Sequence, residues 1–141
     1  MKRHETLAPL SREHHDALIL AQLLKKDAPQ YKGLPVEPEG KSKYALQYFE
    51  TGLQSHFIKE EKMLDQVKQY HPRIAALAKE IKAEHIQLKT LFTSLHDTKD
   101  LPAALDQLGL LLEAHIRKEE RVLFPLIQEH CPGEVLEKII W

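Results

Sequence analysis

Two stretches of the chain carry nearly the same nine residues, His56–Leu64 and His115–Leu123. Both follow the order histidine, apolar, variable, lysine, two glutamates, basic, apolar, leucine. In each stretch a histidine precedes a glutamate by four residues, so the two side chains share one face of a helix. His56 is paired in this way with Glu60, and His115 with Glu119. Two such faces could hold a pair of metal ions inside a helix bundle, because imidazole and carboxylate groups are metal ligands.

The apolar neighbours indicate which glutamate of each doublet faces the core. Glu60 and Glu119 fall at helical spacing within the apolar stripes of their helices, and the second stripe continues through Val122. Glu61 and Glu120 lie one residue further on, at the flanks of these stripes. We therefore predict that Glu60 and Glu119 are the inward carboxylates.

Two further histidines lie on apolar helical faces. His14 shares a face with leucine and alanine residues, and His85 shares one with Ile81. His15 competes with His14, but its helical face includes more polar residues. The pattern favours His14 and leaves His15 as the alternative.

The elements that would carry these residues are helices, since no window alternates with the period of a strand. The periodicity predicts four long helices, over residues 11–28, 41–70, 73–96 and 103–130. The prolines and glycines of residues 29–40 indicate a loop. Pro125 lies inside the fourth helix and should kink it, and residues 134–141 could form a short C-terminal capping helix. The prediction is an all-α, up-down-up-down four-helix bundle.

A comparison of residue positions along the axis of the bundle predicts that the four histidines meet. In an antiparallel pair of helices, two residues are level when the turn lies midway between them, because both helices rise equally per residue. The midpoint between His14 and His56 is residue 35, inside the proline-rich loop. For His56 and His85 it falls at residues 70–71, and for His85 and His115 at residue 100, both between predicted helices. All four imidazoles should therefore share one layer of the core.

Such a layer needs a compensating charge. A buried carboxylate without a partner costs several kcal/mol, and this layer would hold two. A pair of divalent ions would supply the charge, with carboxylates bridging ions about 3.5–4 Å apart. Imidazole and carboxylate ligands without thiolate suit iron, manganese or zinc.

Size and composition exclude several classes of protein. The 141 residues fit one domain, taken as residues 1–141, and the net charge is −1 without any block of lysine and arginine. These features argue against nucleic-acid binding, and no apolar run is long enough for a membrane span. The first residues lack the apolar segment of a secretion signal, which predicts a cytoplasmic protein.

The order of these motifs resembles the hemerythrin-like (HHE cation-binding) domain. The matching features are one histidine, a His-x3-Glu, another histidine, and a second His-x3-Glu followed by Leu123-Phe124-Pro125. The opening Leu10–His15 is also similar to bacterial single-domain members. The resemblance covers the chain from Leu10 to about His130.

The resemblance implies a non-haem centre of two iron ions with an oxo or hydroxo bridge. Such a centre binds or senses dioxygen or nitric oxide, or handles iron. Carried over residue by residue, the metal ligands would be His14, His56, Glu60, His85, His115 and Glu119.

The chain departs from the oxygen-carrying members on the third helix. Those proteins place two ligand histidines one turn apart, whereas the positions one turn from His85 are Ile81 and Lys89. The centre should therefore be more open, and Glu84 or His15 could approach the free position. This departure favours a metal-binding or sensing protein over an oxygen carrier. The alternatives are a di-iron oxidase or peroxidase-like enzyme and a zinc-binding structural bundle. Neither the oligomeric state nor the redox partner follows from the sequence.

Overall fold

Each of the four long helices has a proline in its first turn. In the computed structural model, which describes residues 2–141, the first helix is Ala8–Leu24 and the third is Pro72–Thr93. The second helix begins at Pro38 and the fourth at Leu101. Proline suits these positions because the first N–H groups of a helix have no acceptor within it.

The second and fourth helices are each interrupted by a π-helical turn. The second helix consists of Pro38–Tyr48, the π turn Phe49–Leu53 and Gln54–Val67, and it ends in the 3-10 turn Lys68–Tyr70. The fourth consists of Leu101–Lys118, the π turn Glu119–Leu123 and Phe124–His130. A π turn takes up one more residue than an α turn, so it shifts the helical face that follows it.

The shift is visible after Glu119. Leu123 and Phe124, rather than Val122, are the fully buried side chains of the next turn, and Val122 is only partly buried. Pro125 has no N–H to donate to this turn. The carbonyl of Glu120 instead accepts a hydrogen bond of 2.9 Å from the Arg3 guanidinium.

Helix ends differ from the predicted bounds by a few residues. The first helix ends at Leu24, before residue 28, because Lys25 adopts extended backbone. The third helix ends at Thr93, and the 3-10 turn Leu95–Asp97 follows it. A short C-terminal helix, Gly133–Glu137, is also present.

The apolar core consists of two clusters at opposite ends of the bundle. The first cluster joins the C-terminal halves of the first and third helices to the N-terminal halves of the other two, and it includes Leu24, Phe49, Phe92 and Leu105. The second cluster joins the opposite halves, and it includes Leu10, Val67, Ile74, Leu123 and, from the C-terminal helix, Leu136. Neighbouring helices therefore run antiparallel, which confirms the all-α, up-down-up-down bundle. Between residues 2 and 141, no helix combines the length and the apolar character that a membrane crossing needs.

The first and fourth helices approach each other closely at Gly109. A Cβ atom on Gly109 would lie 2.7 Å from the carbonyl oxygen of Ala21 and 3.2 Å from Cβ of Leu24. The backbone oxygen cannot move without moving the first helix. The glycine therefore permits the contact between the helix that carries His14 and the helix that carries His115.

We expect Gly109→Ala to destabilise the protein by about 1–3 kcal/mol, because the added methyl group overfills this contact. The gain in helix propensity, about 1 kcal/mol, opposes the loss. Gly52→Ala is the control, since its Cβ would meet nothing within 4 Å. Thermal or urea unfolding measures both, and equal stability of the two variants would contradict the prediction.

Candidate metal centre

The four predicted histidines lie in one buried layer between the two apolar clusters. His14, His56, His85 and His115 are each 2–4% exposed, and the carboxylates of Glu60 and Glu119 are fully buried. The structure thus brings together all six residues that the sequence singled out.

Glu60 lies at the centre of the layer. Its Oε2 is 3.1 Å from Nε2 of His14 and 3.2 Å from Nε2 of His56. Its Oε1 is 3.2 Å from Nε2 of His85. Oε1 of Glu119 is 2.7 Å from Nε2 of His115 and 3.6 Å from Nε2 of His14. The Nε2 atoms of all four imidazoles therefore face the two carboxylates.

The donor atoms form two overlapping groups, each with its ligand atoms within 4.8 Å of one another. One group contains Glu60, His85, His115 and Glu119, and the other contains His14, His56 and Glu60. Glu60 is common to both. The geometry thus matches a carboxylate shared between two cation positions.

A cation fits the chemistry of this layer. Seven buried side-chain atoms within residues 2–141 have no hydrogen-bond partner, and all belong to the layer: both ring nitrogens of His56, Oε1 of Glu60, Nε2 of His85, Nε2 of His115 and both oxygens of Glu119. Buried polar atoms are normally paired, because leaving them without partners costs free energy. A positive ion among these atoms would satisfy them as ligands.

Three of the four histidines bond a second carboxylate through the outer ring nitrogen, Nδ1. The distances from Nδ1 are 2.7 Å for His14 to Glu120, 2.8 Å for His85 to Glu61 and 2.7 Å for His115 to Glu84. The fourth pair, His56 and Glu13, is 3.5 Å apart. Metal-binding histidines commonly donate their second N–H to a carboxylate, which fixes the ring and raises its basicity.

These outer carboxylates connect the helices in a closed circuit. Glu13 of the first helix faces the second, Glu61 of the second faces the third, Glu84 of the third faces the fourth, and Glu120 of the fourth faces the first. We call these four glutamates the outer ring. Three of the four imidazoles are thereby oriented by the helix that precedes them in the circuit, and His56 is the exception.

The outer ring was not predicted from the sequence, although a signal for it was present. Glu13 and Glu84 directly precede the inward histidines, while Glu61 and Glu120 directly follow the inward glutamates. A residue next to an inward position lies at the flank of the helix, where it can reach only a neighbouring helix. In each of these adjacent pairs, one residue therefore belongs to the buried layer and its neighbour belongs to the outer ring.

The first helix places His14 in the layer and leaves His15 exposed. On the third helix, Ile81 occupies the inward position one turn before His85 and is fully buried. Glu84 does not turn inward, since it bonds His115 and Lys118. The expected approach of Glu84 or His15 to the free position is therefore not what the structure shows.

Aromatic rings close the layer against solvent. Phe57 stacks on His85 with ring centroids 4.0 Å apart, and Phe124 stacks on His14 at 5.5 Å. Stacking fixes the ring planes and excludes water, which strengthens every charge interaction inside.

Without a metal ion, protons balance the charges of the layer. Burial lowers the pKa of His14, but hydrogen bonds with Glu120 and Glu60 outweigh burial and raise that pKa to about 10. Burial also lowers the pKa of His115, yet the charge of Glu119 raises it overall to about 10. Burial and then the charge of Glu60 raise the pKa of Glu119 to about 7. Protonated imidazoles therefore neutralise buried carboxylates in the metal-free protein.

Comparison with known protein families gives one match. The family model described as Hemerythrin HHE cation binding domain matches residues 5–127. No curated protein and no solved structure matches the chain significantly. The matched residues include every member of the layer and of the outer ring.

We expect the metal-free protein to lose stability as the pH rises from about 6.5 to about 10. His14 and His115 bind protons more tightly in the folded state, so their contribution is complete below the unfolded pKa and is lost above the folded one. The metal-loaded protein should lack this decline, because the metal replaces the protons. Thermal unfolding with and without a chelator measures the difference. A metal-free melting temperature that stays constant over this range would contradict the assignment.

We expect Glu84→Gln to weaken metal binding by about 10- to 100-fold, because His115 loses its carboxylate partner. Glu80→Gln is the matched control, since Glu80 lies one turn earlier on the same helix, is 57% exposed and only approaches Lys118 at 3.7 Å. Competition with a chromophoric chelator measures both affinities. Equal affinities would show that the outer ring does not support the ligands.

Proposed function

The chain belongs to the hemerythrin HHE cation-binding family, and we propose that its buried layer holds two iron ions that bind dioxygen or nitric oxide. It is a cation-binding protein by its family and by its buried His/Glu groups. The proposal adds four points: that the metal is iron, that two ions bind, that the six buried residues are the ligands, and that the gas is dioxygen or nitric oxide.

The position of Glu60 in both donor groups carries the proposal of two ions. One ion would have His14 and His56 as ligands, and the other would have His85 and His115. Glu60 would bridge them, and Glu119 would join them as the second carboxylate. Imidazole and carboxylate donors suit iron, although zinc and manganese accept the same donors.

The spaces beside the layer favour a small ligand. Cavities reach the histidines at two places, with volumes of about 90 Å³ beside His115 and about 200 Å³ beside His56. Sites for organic ligands usually span roughly 300–1,000 Å³. A diatomic molecule needs far less room.

The chain's own residues would hold and isolate the ions. The outer ring fixes the imidazoles, while Phe57 and Phe124 exclude water from their faces. Ile81, one turn before His85, places an apolar side chain at an inward position of the third helix. When bound, an iron pair supplies electrons and an open coordination position for the gas.

Metal analysis of anaerobically purified protein tests the proposal. We expect two irons per chain and a new visible absorption on exposure to air or nitric oxide. His56→Ala and Glu119→Ala should lose the metal, because each removes a ligand from the layer. His130→Ala is the control, since that half-buried imidazole stacks on His71 outside the layer.

Three results would contradict the proposal. Stoichiometric zinc without colour would indicate a structural bundle. Steady consumption of peroxide would indicate a di-iron enzyme instead. Full metal content in both His56→Ala and Glu119→Ala would show that the ligands lie elsewhere.

A further inference from the structure

The outer ring is open at one position, beside His56. Nδ1 of His56 lies 3.5 Å from Oε2 of Glu13 and has no hydrogen-bond partner, although the residue is only 2% exposed. Glu13 is 38% exposed, and its other oxygen lies 3.5 Å from the ammonium of Lys59. The outer nitrogens of the other three histidines are closed by short hydrogen bonds. His56 alone among them presents a free nitrogen outward.

A cavity of about 200 Å³ meets His56 on this side. Glu13 and Asp16 line it, together with Tyr48 and Gly52. Asp16 and Gly52 are exposed, so this end is the mouth, and the buried His56 forms the inner wall. A Cβ on Gly52 would meet nothing within 4 Å, so a side chain can be added at this lining position without a clash.

We propose that this cavity is the entrance by which a divalent metal ion reaches the buried layer, with Glu13 and Asp16 capturing the ion and His56 receiving it. We call it the cation entrance. The inference rests on the proposed function only for the identity of the ion as Fe²⁺.

The position of the His56 ring supports transfer inward. Its Nδ1 faces the Glu13 carboxylate, while its Nε2 lies 3.2 Å from Oε2 of Glu60. One imidazole therefore spans the distance from the cavity to the shared carboxylate.

Charge distinguishes this cavity from the one beside His115. That cavity holds about 90 Å³ and is lined by the Lys118 ammonium, whose partner is Glu84. A cation is repelled by Lys118, and Glu84 is already engaged by two partners. Lys59 lies 3.5 Å from one oxygen of Glu13 but does not line the cation entrance, where Asp16 supplies a second carboxylate. At the cation entrance the charged lining residues are Glu13 and Asp16, which are both acidic.

The test measures the rate at which Co²⁺ enters the metal-free protein, through the change in visible absorption when the ion gains imidazole ligands. Asp16→Asn removes one capturing charge, and Gly52→Leu fills the mouth. We expect Asp16→Asn to load about tenfold more slowly, since a charged cleft raises on-rates by at least this factor. Gly52→Leu should also load more slowly, because a leucine side chain narrows the mouth. Removal by a chelator should slow equally, because an entrance changes both directions and leaves the affinity unchanged. Loading of Asp16→Asn should also depend less on ionic strength.

A control variant isolates the effect of charge. Glu50→Gln removes the same charge from an exposed position on the second helix that does not line the cavity. It should load at the wild-type rate.

Wild-type loading rates in both Asp16→Asn and Gly52→Leu would overturn the cation entrance. So would a weaker equilibrium affinity of Asp16→Asn for Co²⁺, because Asp16 would then be a ligand. A wild-type protein that takes up Co²⁺ rapidly but never binds iron in pairs would overturn the proposed function and leave the entrance standing.

Discussion

Two carboxylates in a buried layer impose the constraint on which the rest of the structure depends. Glu60 and Glu119 are fully buried, and their oxygens lie 2.7–3.2 Å from the Nε2 atoms of four imidazoles. Their charge must be balanced inside the bundle, either by protons on the histidines or by cations. The outer ring, the stacked aromatic rings and the close contact at Gly109 all keep the imidazoles at these carboxylates. The layer therefore restricts how the four helices can be oriented within the frame that the two apolar clusters provide.

The outer ring explains how four separate helices can define one site with little tolerance. Three of the four histidines are hydrogen-bonded to a glutamate from another helix, so a rotation of either helix in such a pair would disturb that imidazole. The three closed pairs hold their rings, while the looser pair of His56 and Glu13 coincides with the cavity that reaches the surface. Three positions of the outer ring thus fix their imidazoles, while the fourth position lies where the cavity meets the layer.

The sequence predicted the layer because heights along antiparallel helices follow from residue counts alone. His14, His56, His85 and His115 could be placed level without knowledge of side-chain directions. The outer ring could not be predicted, because Glu61 and Glu120 bond histidines of other helices and the rotation of those helices is not encoded in a single stripe. The π turn at Glu119–Leu123 was missed for a related reason: a regular helical period carried Val122 inward, where the structure has Leu123 and Phe124. The choice between His14 and His15 also needed the structure, since the helical faces of these two residues differ only slightly in their apolar character.

The division of the apolar core has a consequence for cooperativity. Hydrophobic contacts couple distant parts of a domain only when they are continuous, and here the two clusters are separated by the polar layer. The two apolar clusters are therefore connected through imidazoles and carboxylates rather than through contacts between leucine side chains. A cation bound to residues of all four helices at this level would join two regions of local stability into one unfolding unit. Occupancy of the layer would then decide whether the domain opens in halves or as a whole.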